Sequence, residues 1–402
     1  MYTKENLAEK LNTVDVSRLG ELASKKVLLR ACLNVVLDKA GNITDRTRLD
    51  EAYPTIKFLA ENAQKLIVTA HLGRPVDKDP SLSLVKVFDI LQEKLQADLG
   101  ITAVFVDTLQ AAKDATAKVV ILENIRYFPE EESADKAEQD SFAIKLAELA
   151  DIFVNDAFPD YRESVSTYFV AQKMPAYLGP LFVKEVNSLA KLANPDKPFI
   201  AILGGAKLSE KLDTMLELVK YADKIIIGGA MAYTLLKAQG VSIGKSLFEE
   251  DKLPVAKEML EKFADKLVLP SDHLIASGFS PEAADSAQNT PSVEIPDDTI
   301  AIDIGQKTIS EFCSYLGNAA TILVNGPMGV FEWLPSMKGT QEVYKAVVAN
   351  TSAFKLIGGG DSISAINKMS ITGFNHISTG GGAMLAFIAK NKFPTLDVVL
   401  DK

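Results

Sequence analysis

Arginine is scarce and one-sided in this 402-residue chain: Arg18, Arg30, Arg46, Arg48, Arg74, Arg126 and Arg162 occur, and none beyond. A planar guanidinium binds carboxylate or phosphate through two parallel hydrogen bonds, which lysine cannot do. Glycine has the opposite bias. Of 24 glycines, only Gly20, Gly41, Gly73, Gly100 and Gly179 precede residue 204. Two triple-glycine runs stand close together in Ala353–Leu385, AFKLIGGGDSISAINKMSITGFNHISTGGGAML. Each follows a short apolar run and opens a segment whose apolar residues (Ile363, Ile366, Met369; Met384, Leu385, Ile388) have helical spacing. A strand, a glycine turn and a helix N-terminus form an anion cradle, because glycine lets the backbone come close and the first-turn N–H groups are unpaired. Asp361 and Ser362 follow the first run directly and add a carboxylate and a hydroxyl. The chemistry expected is recognition of a phosphorylated ligand with a cation, gripped by side chains in the front half and by backbone in the back half.

These residues stand where apolar runs end. Lys26–Leu29 reads as a buried strand followed by Arg30-Ala31-Cys32-Leu33-Asn34, and Lys65–Ala70 as one followed by His71-Leu72-Gly73-Arg74-Pro75. Val104–Val106 and Val119–Leu122 come next, the latter running into Glu123-Asn124-Ile125-Arg126; Ile152–Val154 runs into Asn155-Asp156-Ala157-Phe158. Helices are predicted between them: one capped by Asp45 and running through Ala52, Ile56 and Leu59, one over Leu84–Leu95, and an acidic one over Glu130–Leu149. Strand, polar strand end and helix in repetition predict a parallel α/β sheet, with its ligand crevice outside the carboxyl ends of the strands. His71, Arg74 and Arg126 follow strand ends, and Arg162 lies in the loop after one, so together they imply an anionic ligand.

A helix near Leu181–Leu192 and the punctuation Asn194-Pro195-Asp196-Lys197-Pro198 separate the halves, after which the pattern restarts. Phe199–Leu203 runs into Gly204-Gly205-Ala206-Lys207-Leu208-Ser209-Glu210-Lys211. Lys207 and Lys211, four apart, are expected to share a face on the first turns of the next helix and to lean over phosphates. Lys224–Ile227 runs into Gly228-Gly229-Ala230, a place for close approach by a flat ring or backbone. Ile322–Val324 runs into Asn325-Gly326-Pro327-Met328-Gly329, with Glu332 shortly after. The last segment, Phe393–Leu400, is apolar enough to dock on the first half.

The totals set the frame. At 402 residues two domains are expected. A net charge of −10 and a pI near 5.1 argue against nucleic acid or an anionic membrane as partner. The longest apolar run, Ile225–Leu236, is too short for a bilayer, and the start MYTKENLAEK lacks a signal-peptide core. Two cysteines, Cys32 and Cys313, form no disulfide framework or metal knot, which suits a reducing cytoplasm. No strand is followed by G-x-G-x-x-G, which removes a dinucleotide-dependent dehydrogenase.

HLGRP, LENIRYFPEEE, VNDAF, FIAILGGAKLSEKL, IIIGGAMAYT, NGPMGVFE, GGGDS and HISTGGGA occur in one order along the whole chain. In this the chain resembles the phosphoglycerate kinase family. The resemblance implies an α/β fold of two doubly wound parallel-sheet (Rossmann-like) domains joined by a hinge helix. It implies an acid-substrate domain over 1–182, rejoined by 390–402, a hinge helix and linker over 183–197, and a nucleotide domain over 198–389. The implied reaction is reversible phosphoryl transfer between 1,3-bisphosphoglycerate and Mg2+-ADP, giving 3-phosphoglycerate and ATP, in a cytoplasmic, glycolytic, hinge-bending monomer. Its partners would be these small molecules alone. Carried across by motif, Asn34, Arg48, His71, Arg74 and Arg126 resemble the phosphoglycerate-binding set, with Arg48 also facing the moving phosphoryl group. Lys207 resembles the lysine that follows that group, and Lys211 the one on the nucleotide phosphates. Glu332 would take the ribose hydroxyls, Asn325 a phosphate, Asp361 the metal and Ser362 a phosphate oxygen. Gly204, Gly205, Gly228, Gly359, Gly360 and Gly382 would supply backbone to the nucleotide and to the transfer.

Two stretches depart from the family. Its first strand usually ends Asp-Phe-Asn, and that aspartate receives a substrate hydroxyl; here the sequence is Cys32-Leu33-Asn34. The loop after Phe158 normally carries Gly-Thr-Ala-His-Arg-Ala-His, whereas Pro159-Asp160-Tyr161-Arg162-Glu163-Ser164 is one residue shorter and has no histidine. Arg162 is expected to take the arginine's place. The departures predict an active kinase with a raised Michaelis constant for phosphoglycerate. The alternatives are a paralogue with another phosphorylated acid as substrate, or a weakened nucleotide-binding regulatory protein.

Overall fold

Apolar runs without alternation are what a sheet covered on both faces requires, and in the computed structural model, which describes residues 4–389 and 393–401, they form its central strands. The chain divides into two units, Met1–Asn187 with Lys392–Lys402, and Ser188–Asn391.

Unit 1 is built on six parallel strands: β1 (Lys26–Arg30), β2 (Lys65–Thr69), β3 (Ala103–Val106), β4 (Val119–Leu122), β5 (Ile152–Asn155) and β6 (Ala176–Leu178). Their order is β3-β4-β2-β1-β5-β6, so the winding reverses between β1 and β5. Helices α1 (Lys4–Val14), α2 (Thr47–Asn62), α3 (Val85–Leu99), α4 (Lys136–Ala147) and α5 (Pro180–Ala190) accompany the strands. Leu49, Ile56 and Leu59 of α2 and Leu91 and Leu95 of α3 bury against Leu29, Val68 and Ile121. The predicted acidic helix over Glu130–Leu149 is two pieces. Pro129–Glu132 is a 3-10 turn, and Asp135 then caps α4 by accepting the Ala137 N–H at 2.8 Å, which stops one helix and starts another. Asp45 accepts the Thr47 N–H at 2.7 Å, one residue before the N-cap position held by Arg46. Of segment 390–402, residues 390–392 and 402 lie outside the described residues. The helix Pro394–Leu400 packs on α1 and β6, and Phe393 stacks on Phe158 with centroids 5.1 Å apart.

Unit 2 repeats the plan with β7 (Phe199–Leu203), β8 (Lys224–Ile227), β9 (Leu267–Val268), β10 (Thr321–Asn325), β11 (Phe354–Gly358) and β12 (His376–Ser378). All are parallel in the order β9-β8-β7-β10-β11-β12, with the reversal between β7 and β10. Relevant helices are α6 (Leu212–Leu218), α7 (Met231–Ala238), α8 (Gly360–Met369) and α9 (Gly382–Ile388). A three-stranded antiparallel sheet of His273–Ala276, Gln288–Asn289 and Ile300–Ile304 is an addition that the apolar pattern did not announce. The boundary between the units falls inside α5, after Asn187. Among the described residues no helix is long and apolar enough to cross a membrane.

Candidate functional site

In an open parallel sheet the crevice forms where the strand order reverses, because the loops from the two central strands diverge there. In unit 1 that point is the carboxyl end of β1 and β5, and a buried polar cluster fills it. Arg30, the last residue of β1, is 2% exposed. Its Nε donates to Ser166 Oγ at 2.9 Å and its Nη1 to Ala31 O at 2.7 Å. Ser166 Oγ in turn donates to Glu131 Oε1 at 2.6 Å, and Ser166 N–H donates to Oε2 at 2.9 Å. Arg30 Nη2 lies 2.9 Å from His71 Nδ1 and 3.0 Å from Asp160 Oδ2. His71 Nδ1 also lies 3.2 Å from Asp160 Oδ2, so it accepts from the guanidinium in one tautomer and faces the carboxylate as a donor in the other. Burial depresses the pKa of His71, against the pull of Asp160, which keeps the ring neutral. Burial works against ionisation of Asp160, but the Arg30 charge outweighs it and holds this carboxyl well below the usual range.

The other expected unit 1 residues are placed around this core. Asn34 Oδ1 accepts the Gly73 N–H at 2.9 Å and its carbonyl accepts Arg48 Nη1 at 2.8 Å, which joins the β1 end to the first turn of α2. Arg126 Nη1 donates to Gly73 O at 2.6 Å while its Nε pairs with Glu132 at 2.9 Å. Asn124 donates to Leu72 O and Leu82 O and so braces the His71 loop. Arg74 is exposed. Cys32 is 3% exposed, its thiol pushed up to about 11 by burial and then by the charge of Asp160, with Arg48 and Arg30 opposing. It is a neutral, inert thiol. Arg162 does not join the group: it is exposed, with its guanidinium 5.7 Å from the ring centre of Tyr161. Arg30, Glu131, Asp160 and Ser166 were missed by motif reasoning. Only the Arg30 position at a strand end signalled it.

Unit 2 has its crevice at the carboxyl ends of β7 and β10. Here backbone meets backbone: a Cβ on Gly204 would lie 2.0 Å from Pro327 O, so the close approach of the two loops demands glycine. Lys207 and Lys211 do not share a helical face, since α6 starts only at Leu212. The cause lies in the loop. Ser209 N–H donates to Glu249 at 3.0 Å and Leu208 is fully buried, so this stretch is anchored sideways before a helix can form. The two lysines therefore differ. Lys207 is exposed, its Nζ 4.0 Å from Glu210. Lys211 is 9% exposed, donating to Asn325 O at 2.8 Å and also to Asn325 Oδ1. Burial pulls its pKa down to about 8 against the opposing charge of Asp361.

Asn325 Nδ2 donates to Gly358 O at 2.8 Å, so this side chain clamps β10, β11 and Lys211 together. Gly359 precedes α8 at φ +99°, a conformation that a side chain resists. Gly360 opens the ten-residue α8, and a Cβ there would meet nothing within 4 Å. Ser362 is buried and its Oγ accepts the Gly326 N–H at 2.6 Å. Gly382 also faces open space, at the start of the seven-residue α9. Gly205, Gly229, Glu332, Trp333 and Asp361 line a cleft of about 380 Å³, while Gly228 packs under Met328 beside it.

No group of three or more metal-ligating side chains occurs among the described residues. Magnesium binds through one or two carboxylates with phosphate oxygens and water completing its octahedron. The exposed Asp361 carboxylate at the cleft fits that arrangement and does not make a dedicated metal cage.

Comparison with known proteins bears on the family and the fold. The phosphoglycerate kinase family model matches residues 16–391. The phosphoglycerate kinase of Nocardia farcinica is 41% identical over 388 residues, 93% of this chain and 94% of that one. That of Moorella thermoacetica is 41% identical over 397 residues, covering 95% and 98%. Among solved structures, Coxiella burnetii phosphoglycerate kinase superposes with a TM-score of 0.85 at 33% identity, covering 96% of this chain and 98% of that one. The Pyrococcus horikoshii enzyme gives 0.82 at 30% identity over the same shares. With two parallel sheets, a polar crevice at each reversal and relatives matched end to end, the chain belongs to the phosphoglycerate kinase family.

Proposed function

We propose that the unit 1 crevice holds the acid substrate and the unit 2 crevice the magnesium nucleotide. The chain is a phosphotransferase of glycolysis with a carboxyl group as acceptor, as its family is. The observation that supports the division is the material of each crevice: guanidinium groups in one, glycine backbone with Lys211, Glu332 and Asp361 in the other.

Phosphoryl transfer passes through a loose transition state with charge on the equatorial oxygens, so catalysis is alignment and preorganised positive charge. The acceptor is already a carboxylate oxygen, and no general base is required. Arg126, Arg74 and neutral His71 orient the acid, and Arg48 stabilises the moving group from the acid's side. Lys207, free of directed hydrogen bonds, follows that group, while Lys211 and the amides of Gly359, just before α8, and of Gly360 and Ser362 in its first turn hold the nucleotide phosphates. Gly382 adds an amide toward the transferring group. Magnesium, held by Asp361 and the phosphates, would neutralise charge between the phosphoryl oxygens. The ligands must meet in line, so hinge bending at α5 belongs to this reading, as do a monomeric state and a cytoplasmic location.

A coupled assay with magnesium-ATP and 3-phosphoglycerate tests it. Turnover is expected, falling about a hundredfold in Lys207→Ala. Nucleotide binding without turnover, or a clear preference for another phosphorylated acid, would overturn it.

A further inference from the structure

One group in unit 1 has no place in an anion site at first sight. Asp160 sets a negative charge at the β1/β5 crevice, 3.0 Å from Arg30 and within electrostatic reach of Arg126 and Cys32. Facing an anionic ligand, a carboxylate is repulsive unless the ligand presents a donor to it. Its two oxygens differ. Oδ2 is buried and held by charge alone, 3.0 Å from Arg30 Nη2 and 3.2 Å from His71 Nδ1 without a hydrogen bond to either, whereas Oδ1 lies on the 19% of the side chain that is exposed and makes no hydrogen bond among the described residues. The loop that carries it is held on both sides. Phe158 is fully buried and stacks on Phe393 at 5.1 Å, and Tyr161 stacks on the same ring at 5.3 Å. Asp160 N–H donates to Ala157 O at 2.9 Å and closes the turn between them. This carboxylate is thus positioned by packing, with one oxygen available.

3-Phosphoglycerate carries acceptors at its carboxylate and phosphate and a single donor, the 2-hydroxyl. Cys32, where the first strand departs from the family, is a buried neutral thiol and a poor acceptor. We propose that Asp160 is a specificity-determining residue of the acid site: its free Oδ1 accepts the substrate's 2-hydroxyl while Oδ2 stays paired with Arg30. The carboxylate absent from position 32 is supplied from the loop, one charge for one charge. This rests on the assignment of the acid substrate to unit 1.

The test uses Asp160→Asn, Cys32→Asp, the double variant and Arg126→Ala in the full chain. Each is assayed with 3-phosphoglycerate and probed for inhibition by its analogue lacking the 2-hydroxyl, phosphorylated 3-hydroxypropanoate. Asp160→Asn should raise KM for 3-phosphoglycerate about tenfold or more, leave KM for ATP unchanged, and bind the deoxy analogue as the parent chain does. Cys32→Asp placed on Asp160→Asn should recover most of that loss, which a merely structural loop residue would not allow. A fall in KM for Asp160→Asn would show a counter-ion that only shields the arginines and would overturn the proposal. So would an unchanged KM, or equal loss for both ligands without recovery. If Arg126→Ala raises KM while Asp160→Asn does not, this inference alone fails; if neither does, the unit 1 assignment fails with it.

Discussion

At the β1/β5 reversal of unit 1 an anion would meet side-chain tips, carried by Arg48, Arg126, His71 and Asp160 from four different loops and helices. At the β7/β10 reversal of unit 2 it would meet mostly main chain, in turns pressed together until there is no room for a Cβ. The topological place is the same and the construction is different. A side-chain site is defined by where tips end, so a group can be lost from one loop and supplied from another, as Cys32 and Asp160 illustrate. A backbone site is defined in part by excluded volume, and at Gly204, Gly229 and Gly326 it has no substitute for glycine. That contrast explains why both departures from the family fall in unit 1.

The largest effect should come from adding one carbon to unit 2. In Gly204→Ala the new Cβ would meet Pro327 O at 2.0 Å and Gly326 O at 2.7 Å, both backbone atoms that yield only if the turn opens. A loss of about 2–4 kcal/mol in urea unfolding is expected, together with loss of nucleotide binding by titration. Unchanged binding would break the comparison at its steric end.

A smaller effect is set by pH at Lys211. Burial lowers its pKa to about 8, so the empty site loses its cation as pH rises through that value. KM for ATP should climb from pH 7 to 9.5 in the parent chain, while Lys211→Ala, already weak, should show a flat profile. A climb of the same size in Lys211→Ala would assign the dependence elsewhere.

The smallest effect concerns the stability contributed by buried carboxyls, first of all Asp303 outside both crevices. Asp303 accepts the Gly339 N–H at 2.6 Å and the Ile304 N–H at 2.9 Å, and burial pushes it up to about 8. The native chain therefore keeps a proton that the unfolded chain releases near pH 4, and stability from this group declines as pH rises from about 4 to about 8. The slope is at most about 1.4 kcal/mol per pH unit for one proton. Glu131 and Asp156, both raised to about 7 by burial, act in the same direction. Asp160 acts oppositely, since its lowered carboxyl adds stability that is lost as pH falls below the ordinary aspartate range. Urea unfolding of Asp303→Asn between pH 6 and 8 should be flatter than the parent by part of one proton's slope.

Much of this was legible in the sequence where information is local. Runs such as FIAIL and TILVN are buried at every position, and a strand needs no partner in sequence to be read that way. Glycine turns are legible because the steric demand falls on the residue itself. What escaped depends on strand order. Arg30, Glu131, Asp160 and Ser166 are remote in sequence and meet only because β1 lies beside β5. The lysine pair was misplaced for a similar reason: Ser209 is held by Glu249, forty positions on, and no periodicity reports that contact. Arg162 stands apart from the buried cluster, in a shortened loop held by Phe158 and Tyr161 stacking on Phe393, a residue near the chain's end.

The division of labour between the units is tested most directly by initial rates with both substrates varied, for the parent chain, Arg126→Ala and Gly359→Ala. Arg126→Ala should raise KM for 3-phosphoglycerate about ten- to a hundredfold and leave KM for ATP in place, and Gly359→Ala should do the converse. If Arg126→Ala shifts KM for ATP as far as that for the acid, or if Gly359→Ala moves only the acid, the two crevices do not hold the ligands assigned to them.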